Sequence, residues 1–178
     1  TRAAPESRPE PLPITLIDIA GHWAEQKMKQ AVQEGLVSGY PDQSFRPDQP
    51  VTRAEFVAFL ARSMDWTEQE YGALSFTDHA DIPEWAEKYI AQAVHKGIIT
   101  GYGDGSFKPQ QTITRAEAVA MVILSLGVAV EQGNVTHFAD DQLIPTWAKG
   151  YVAKAIDLEL VSGRGNNQFV PNESITRA

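Results

Sequence analysis

Gly101-Tyr102-Gly103-Asp104-Gly105-Ser106-Phe107-Lys108-Pro109-Gln110-Gln111-Thr112-Ile113-Thr114-Arg115-Ala116-Glu117 reads as a turn-rich loop running into a helix start. Gly, Asp and Ser are residues whose backbone freedom or short polar side chains favour turns. Thr114-Arg115-Ala116-Glu117 is a capping box. The Thr hydroxyl accepts from the third helical N–H, and the Glu carboxylate reaches back to the Thr N–H. Val119, Val122, Ile123 and Leu126 then fall at helical spacing and form the expected buried face. The stretch therefore says loop, cap, helix.

The same stretch recurs on either side. Trp23, Trp85 and Trp147 are 62 residues apart, and so are Gly39, Gly101 and Gly163. Phe45, Phe107 and Phe169 keep the step, as do Pro47, Pro109 and Pro171. Thr52-Arg53-Ala54, Thr114-Arg115-Ala116 and Thr176-Arg177-Ala178 keep it as well. A constant period over so many positions is the signature of a repeat array. The copies are expected at residues 14–75, 76–137 and 138–178.

Each copy reads as helix, loop, helix. Pro83 and Pro145 suit a first helical turn, where the missing N–H costs nothing. Trp85, Tyr89, Ile90, Ala93 and Val94 form an apolar stripe at helical spacing. Gly35 and Gly97 are expected to end that helix in the left-handed conformation. The third copy has Glu159 there, which predicts a different helix end. The second helix of the first copy starts at Thr52, with Glu55 closing its capping box, and buries Phe56, Phe59, Leu60 and Met64. The repeated Phe is expected to anchor each loop to the core. No strand is required, so the fold class is all-α.

Residues 1–13 hold Pro5, Pro9, Pro11 and Pro13 and are expected to be a stiff, extended linker. A linker implies attached cargo. The third copy stops at Ala178, before the helix that follows Glu55 and Glu117 in the other copies. Both features suggest a piece of a longer protein.

Composition narrows the function. The chain has 178 residues, with 15 Lys+Arg against 23 Asp+Glu and a net charge of −8. That balance disfavours nonspecific nucleic-acid binding, which draws on a basic face, and docking on an anionic membrane. At 43% hydrophobic residues the chain suits a packed globular fold. The absence of cysteine removes disulfides, thiol nucleophiles and Cys-based metal sites. The most apolar stretch, residues 118–130, is too short for the roughly 20 residues of a membrane-spanning helix.

Three features exceed what capping and packing explain. Arg53, Arg115 and Arg177 each place a cation in the first turn, against the helix dipole, at a cost of about 0.3–1 kcal/mol. Either each arginine pairs with a nearby carboxylate and ties its loop down, or guanidinium and helix N–H groups together form an anion site. Recurrence of a costly feature favours the anion site. Trp23, Trp85 and Trp147 are either core or a stacking surface along a groove. Asp18, Asp78 and Asp140 precede the first helix of each copy. Each either caps a turn or binds ligand hydroxyls.

These residues resemble the S-layer homology family. Its pattern is an aromatic-x-Asp, a His-Trp-Ala-like helix start, Gly-Tyr-x-Asp-Gly-x-Phe-x-Pro and Ile-Thr-Arg-Ala-Glu. The first copy matches at Asp18, His22-Trp23-Ala24, Gly39-Tyr40-Pro41-Asp42-Gln43-Ser44-Phe45-Arg46-Pro47 and Val51-Thr52-Arg53-Ala54-Glu55. The second matches from Phe76-Thr77-Asp78 through Glu84-Trp85-Ala86 to Glu117, and the third at Phe138-Ala139-Asp140, Thr146-Trp147-Ala148 and Ile175-Thr176-Arg177-Ala178. The third copy departs from the pattern at Arg164, where the others have Tyr40 and Tyr102. The overall look is also similar to the cyanobacterial type of the module.

The resemblance implies a pseudo-threefold spindle with a central helical bundle. It also implies grooves between repeats that bind a cell-wall polysaccharide, or a peptidoglycan-linked glycan, often carrying pyruvate ketals. The attached protein would thereby be held non-covalently in the cell envelope, as part of a surface layer or at the periplasmic face of an outer membrane. The implied ligand-binding set is Arg53, Arg115, Arg177, Trp23, Trp85, Trp147, Asp18, Asp78, Asp140, Gly39, Gly101, Tyr40 and Tyr102. Thr52, Glu55, Thr114 and Glu117 remain helix caps.

Rival classes are weaker. The four histidines share no repeat position and show no metal spacing, so neither an enzyme nor a cofactor is expected. An EF-hand loop counted from Asp104 would need Glu at its twelfth position, and that residue is Arg115. Self-association into a surface lattice remains the structural alternative.

Overall fold

A computed structural model describes residues 15–66, 71–131, 133 and 135–178. The proline-rich segment 1–13 lies outside the described residues. The chain divides into two compact units, Thr1–Asp48 with Arg177–Ala178, and Gln49–Thr176. The described residues form five α-helices and no strand: α1 (Glu25–Gln33), α2 (Arg53–Ser63), α3 (Glu84–His95), α4 (Arg115–Ser125) and α5 (Thr146–Asp157). The fold is all-α and built from three repeats.

Local chemistry explains the helix starts. Both capping boxes form: Thr52 accepts from the Glu55 N–H and Thr114 from the Glu117 N–H, and each Glu side chain returns to its Thr N–H. Pro83 and Pro145 sit one residue earlier than the sequence suggests, at the N-cap with extended backbone (ψ 138° and 140°). Helix α1 has no proline and begins two residues beyond Trp23. There the Glu25 carboxylate accepts from the Gly21 N–H at 2.8 Å, and the His22 ring accepts from the Ala24 N–H at 3.1 Å.

The helix ends correct one expectation. Gly35 and Gly97 take φ of +73° and +70°, as glycine permits. Glu159 adopts the same left-handed conformation, with φ of +57°. The third helix end is therefore built like the other two and carries the strain of a Cβ there.

In the Thr1–Asp48 unit, Ile19, Ala24, Met28, Val32 and Phe45 pack together, and Ala178 joins them. The Gln49–Thr176 unit has two clusters. One centres on Val57, Leu60, Ile90, Ile99, Phe107 and Ile113; the other on Ile123, Phe138, Ala148, Val152 and Phe169. Helix α2 packs on α3, and α4 on α5. Phe45, Phe107 and Phe169 are almost wholly buried and anchor their loops. Leu126, expected in the core, is exposed, because α4 ends at Ser125 and Leu126 is its C-cap.

A closed hydrogen-bond ring ties the repeats within the larger unit. Val51 N–H donates to Ile175 O at 3.0 Å, Ile113 N–H to Val51 O at 2.9 Å, and Ile175 N–H to Ile113 O at 3.2 Å. One residue from each copy contributes. The ring fixes the three helix-start segments against one another.

Candidate functional site

Each repeat loop is held by its own aspartate. Both oxygens of Asp18 accept backbone N–H bonds, from Phe45 and Arg46 at 2.7 Å each. Asp78 does the same for Phe107 and Lys108 at 2.8 and 2.7 Å, and Asp140 for Phe169 and Val170 at 2.7 and 2.8 Å. The second residue of each pair is left-handed: φ is +57° at Arg46, +59° at Lys108 and +57° at Val170. A non-glycine residue there is strained, and two charge-assisted hydrogen bonds offset the strain. The N–H bonds from Phe45 and Arg46 hold the Asp18 carboxyl below its ordinary range. All three aspartates thus act as loop caps.

The repeated arginines grip the same loops from another repeat. Arg53 Nε donates to Phe107 O at 2.9 Å, and a terminal nitrogen pairs with Glu117 at 3.0 Å. The Arg53 side chain is buried, with only 4% of the residue exposed. Arg177 Nε donates to Phe45 O at 2.8 Å, and a terminal nitrogen to Ser38 O at 2.9 Å. Arg115 donates to Ser162 O at 2.9 Å and lies over the Phe169 ring at 5.0 Å, while its buried Nε has no hydrogen-bond partner. Burial, with Arg164 nearby, lowers the Arg115 pKa. Arg164 stands where the other copies have tyrosine, and it pairs with Glu173.

The tyrosines lie between cations. The Tyr102 ring has Arg53 at 4.6 Å and Lys108 at 4.5 Å; Tyr40 has Arg177 at 4.9 Å and Arg46 at 3.9 Å. Tyr102 donates to Glu117 at 2.7 Å. Burial, then this bond, pushes the phenol up to about 12. Gly39 and Gly101 are needed for close packing. A Cβ at Gly39 would stand 2.7 Å from Leu16, and one at Gly101 2.8 Å from the Phe76 ring.

The tryptophans are on the surface: Trp23 is 82% exposed, Trp85 49% and Trp147 50%. The core reading of these residues therefore fails. Trp147 borders a groove of about 460 Å³ in the larger unit. It is lined by Arg53, by Tyr102 of the second-repeat loop, by Glu117, Ala120, Met121 and Leu124 of α4, and by Trp147 and Tyr151 of α5. The groove forms where the loop of the second repeat and α4 meet α5. Of the residues singled out by sequence, Arg53, Gly101, Tyr102, Glu117 and Trp147 converge here. Met121, Leu124 and Tyr151 were missed, because only the packing of α5 on α4 brings them to one groove.

Among the described residues, no cluster of three or more His, Asp or Glu side chains is arranged to hold a metal ion. No described helix is long and apolar enough to cross a membrane.

The chain is similar to known proteins over most of its length. The S-layer homology domain model matches three times, at residues 18–57, 75–119 and 137–178. An amylopullulanase of Thermoanaerobacterium thermosulfurigenes is 34% identical over 92% of the chain, and a cellulosome-anchoring protein of Acetivibrio thermocellus is 38% identical over 80%. An S-layer protein of Bacillus anthracis is 30% identical over 89%. The chain spans only 9%, 32% and 18% of these three relatives. None of the three is cyanobacterial, and the cyanobacterial variant is without support. The three in-register matches, spread over most of the sequence, make the chain a member of the S-layer homology domain family.

Proposed function

We propose that this chain is a non-enzymatic anchoring module that holds an attached surface protein to the cell wall, outside the cytoplasm. The polymer it grips is an acidic, pyruvylated wall polysaccharide or a peptidoglycan-linked glycan, taken up in grooves between repeats.

The groove between Arg53 and Trp147 carries this reading. It brings the buried Arg53–Glu117 ion pair, apolar side chains of α4 and a half-exposed indole together within about 460 Å³, room for a sugar residue or two. An indole packs against the C–H face of a pyranose. The apolar side chains of Met121 and Leu124 suit a methyl substituent. Arg53 holds the loop wall of the groove in place and offers a ligand few free donors, since Phe107 O and Glu117 already engage it. Arg115 and Arg177 would hold the loops of the third and first repeats in the same way. Asp18, Asp78 and Asp140 would position those loops. Relatives that are S-layer and cellulosome-anchoring proteins support the anchoring role.

Sedimentation with isolated wall sacculi tests it. The chain should pellet with sacculi, stay soluble without them, and stay soluble when acidic wall polymer has been stripped away. Arg115→Ala should weaken pelleting while leaving the fold intact, because Thr114 and Glu117 still cap α4. Pelleting without sacculi would instead indicate self-assembly.

A further inference from the structure

Within the Gln49–Thr176 unit, two helices carry a tyrosine one turn after their tryptophan: Tyr89 after Trp85 on α3, and Tyr151 after Trp147 on α5. Residues at this spacing share a helix face. The two tyrosines hold one position in the repeat, yet their surroundings differ. Arg62 of α2 donates from Nε to the Tyr89 hydroxyl at 3.3 Å and lies over the ring at 5.1 Å, and the Lys88 ammonium stands 5.0 Å from the same ring. Leu124 and Gly150 occupy the corresponding positions beside Tyr151. Neither brings a charge or a side-chain donor. The Tyr151 ring packs on the core cluster that holds Ala148 and Val152, which fixes its place on α5. Its hydroxyl has no hydrogen-bond partner among the described residues and is not a buried atom.

Most other polar side chains along the groove of Arg53 and Trp147 are already engaged. Glu117 accepts from Arg53 and Tyr102 on one carboxylate oxygen, and from the N–H and hydroxyl of Thr114 on the other. The Tyr102 hydroxyl donates to Glu117 and accepts from Gln111 at 3.3 Å. Two lining hydroxyls keep free capacity, those of Thr100 and Tyr151. Ser38 and Ser162 stand at the position of Thr100 in the other copies, so a hydroxyl there is common to all three. The unengaged phenol is what sets this groove apart.

We propose, resting on the reading of this groove as the glycan site, that Tyr151 is a specificity-determining residue: its hydroxyl hydrogen-bonds a hydroxyl group of the sugar whose ring packs on Trp147. Stacking on an indole leaves a pyranose free to turn in its own plane, and one directional bond removes that freedom. A phenol O–H both donates and accepts, so it pairs with a sugar hydroxyl in either sense. A site built to bond a hydroxyl rejects a ring that lacks one there, because its own polar group is then left unpaired. The groove consequently selects a pyranose with a free hydroxyl at the edge facing α5. At Tyr89, Arg62 holds the phenol and that selection is absent.

The test measures binding of the whole chain to isolated wall sacculi over a range of sacculus concentrations. Tyr151→Phe should weaken binding about fivefold, the size of one neutral hydrogen bond, with an unchanged urea midpoint. Tyr89→Phe should bind as the unaltered chain does, since Arg62 already takes that hydroxyl. Leu124→Arg should weaken binding by a similar factor, by laying a guanidinium on Tyr151 as Arg62 lies on Tyr89. Undiminished binding by Tyr151→Phe or Leu124→Arg, an equal loss in Tyr89→Phe, or a lowered midpoint in Tyr151→Phe would each overturn the proposal. If the unaltered chain did not pellet at all, the anchoring reading would fail and the role of Tyr151 with it. If it pelleted and Tyr151→Phe pelleted equally well, the role of Tyr151 alone would fail.

Discussion

Arg53 and Phe107 lie 54 positions apart, yet the guanidinium Nε of one donates to the backbone carbonyl of the other at 2.9 Å. The N–H of the same Phe107 is held by Asp78 at 2.8 Å. One peptide position is thus clamped on both sides, by its own repeat and by the preceding one. Arg177 and Asp18 clamp Phe45 in the same way.

Arg53→Ala should cost about 2–4 kcal/mol, because the Phe107 carbonyl loses the guanidinium donor and the partly buried Glu117 loses its cation. Arg53→Lys should recover less than half, since an ammonium cannot span both acceptors in the fork geometry of arginine. Urea unfolding at an unchanged m-value measures both. A loss below 0.5 kcal/mol, roughly that of an ordinary surface change, would show that the clamp contributes nothing.

Asp140→Asn should destabilise the third repeat by about 1–3 kcal/mol, because an amide offers one acceptor where the carboxylate offers two. Its NH₂ would face an N–H donor, of Phe169 or Val170. Hydrogen exchange should speed up selectively at those two amides. Unchanged protection would mean that Val170 holds its left-handed φ without help.

Glu159→Gly should stabilise the chain by about 0.5–1 kcal/mol, since it relieves a left-handed Cβ at an exposed helix end. Gly35 and Gly97 already occupy this position in the other copies. Thermal unfolding should show a raised Tm; a lowered one would mean that the Glu159 side chain contributes more than its strain costs.

Acid should weaken the fold in a defined window. Asp42 and Asp104 are held at about 2, below the ordinary 3.8, chiefly by the hydroxyls of Ser44 and Ser106. Asp141 is held at about 2 chiefly by Lys149, then by Thr136. A depressed folded pKa gives stability that is present above the unfolded value and lost as pH falls through the folded one. Urea midpoints from these groups should be level above about pH 5 and decline between about 4 and 2. Asp141→Asn should shrink that decline, and an unaltered slope would contradict the assignment.

The repeat, the helices and their caps were legible in the chain itself, because they depend on neighbours three or four residues away. The step linking Trp23, Trp85 and Trp147 announces three units, and Thr114 with Glu117 writes its own helix start. The anchoring role of Phe107 was also legible, since a lone aromatic in a polar loop has few other uses. Tertiary structure alone decided what the arginines touch. Nothing local to Arg53 points to Phe107 or Glu117, and the ring through Val51, Ile113 and Ile175 exists only once three distant segments meet. It also turned the tryptophans outward, because helical spacing sets which residues share a face, while only the packing of neighbouring helices sets which face is covered.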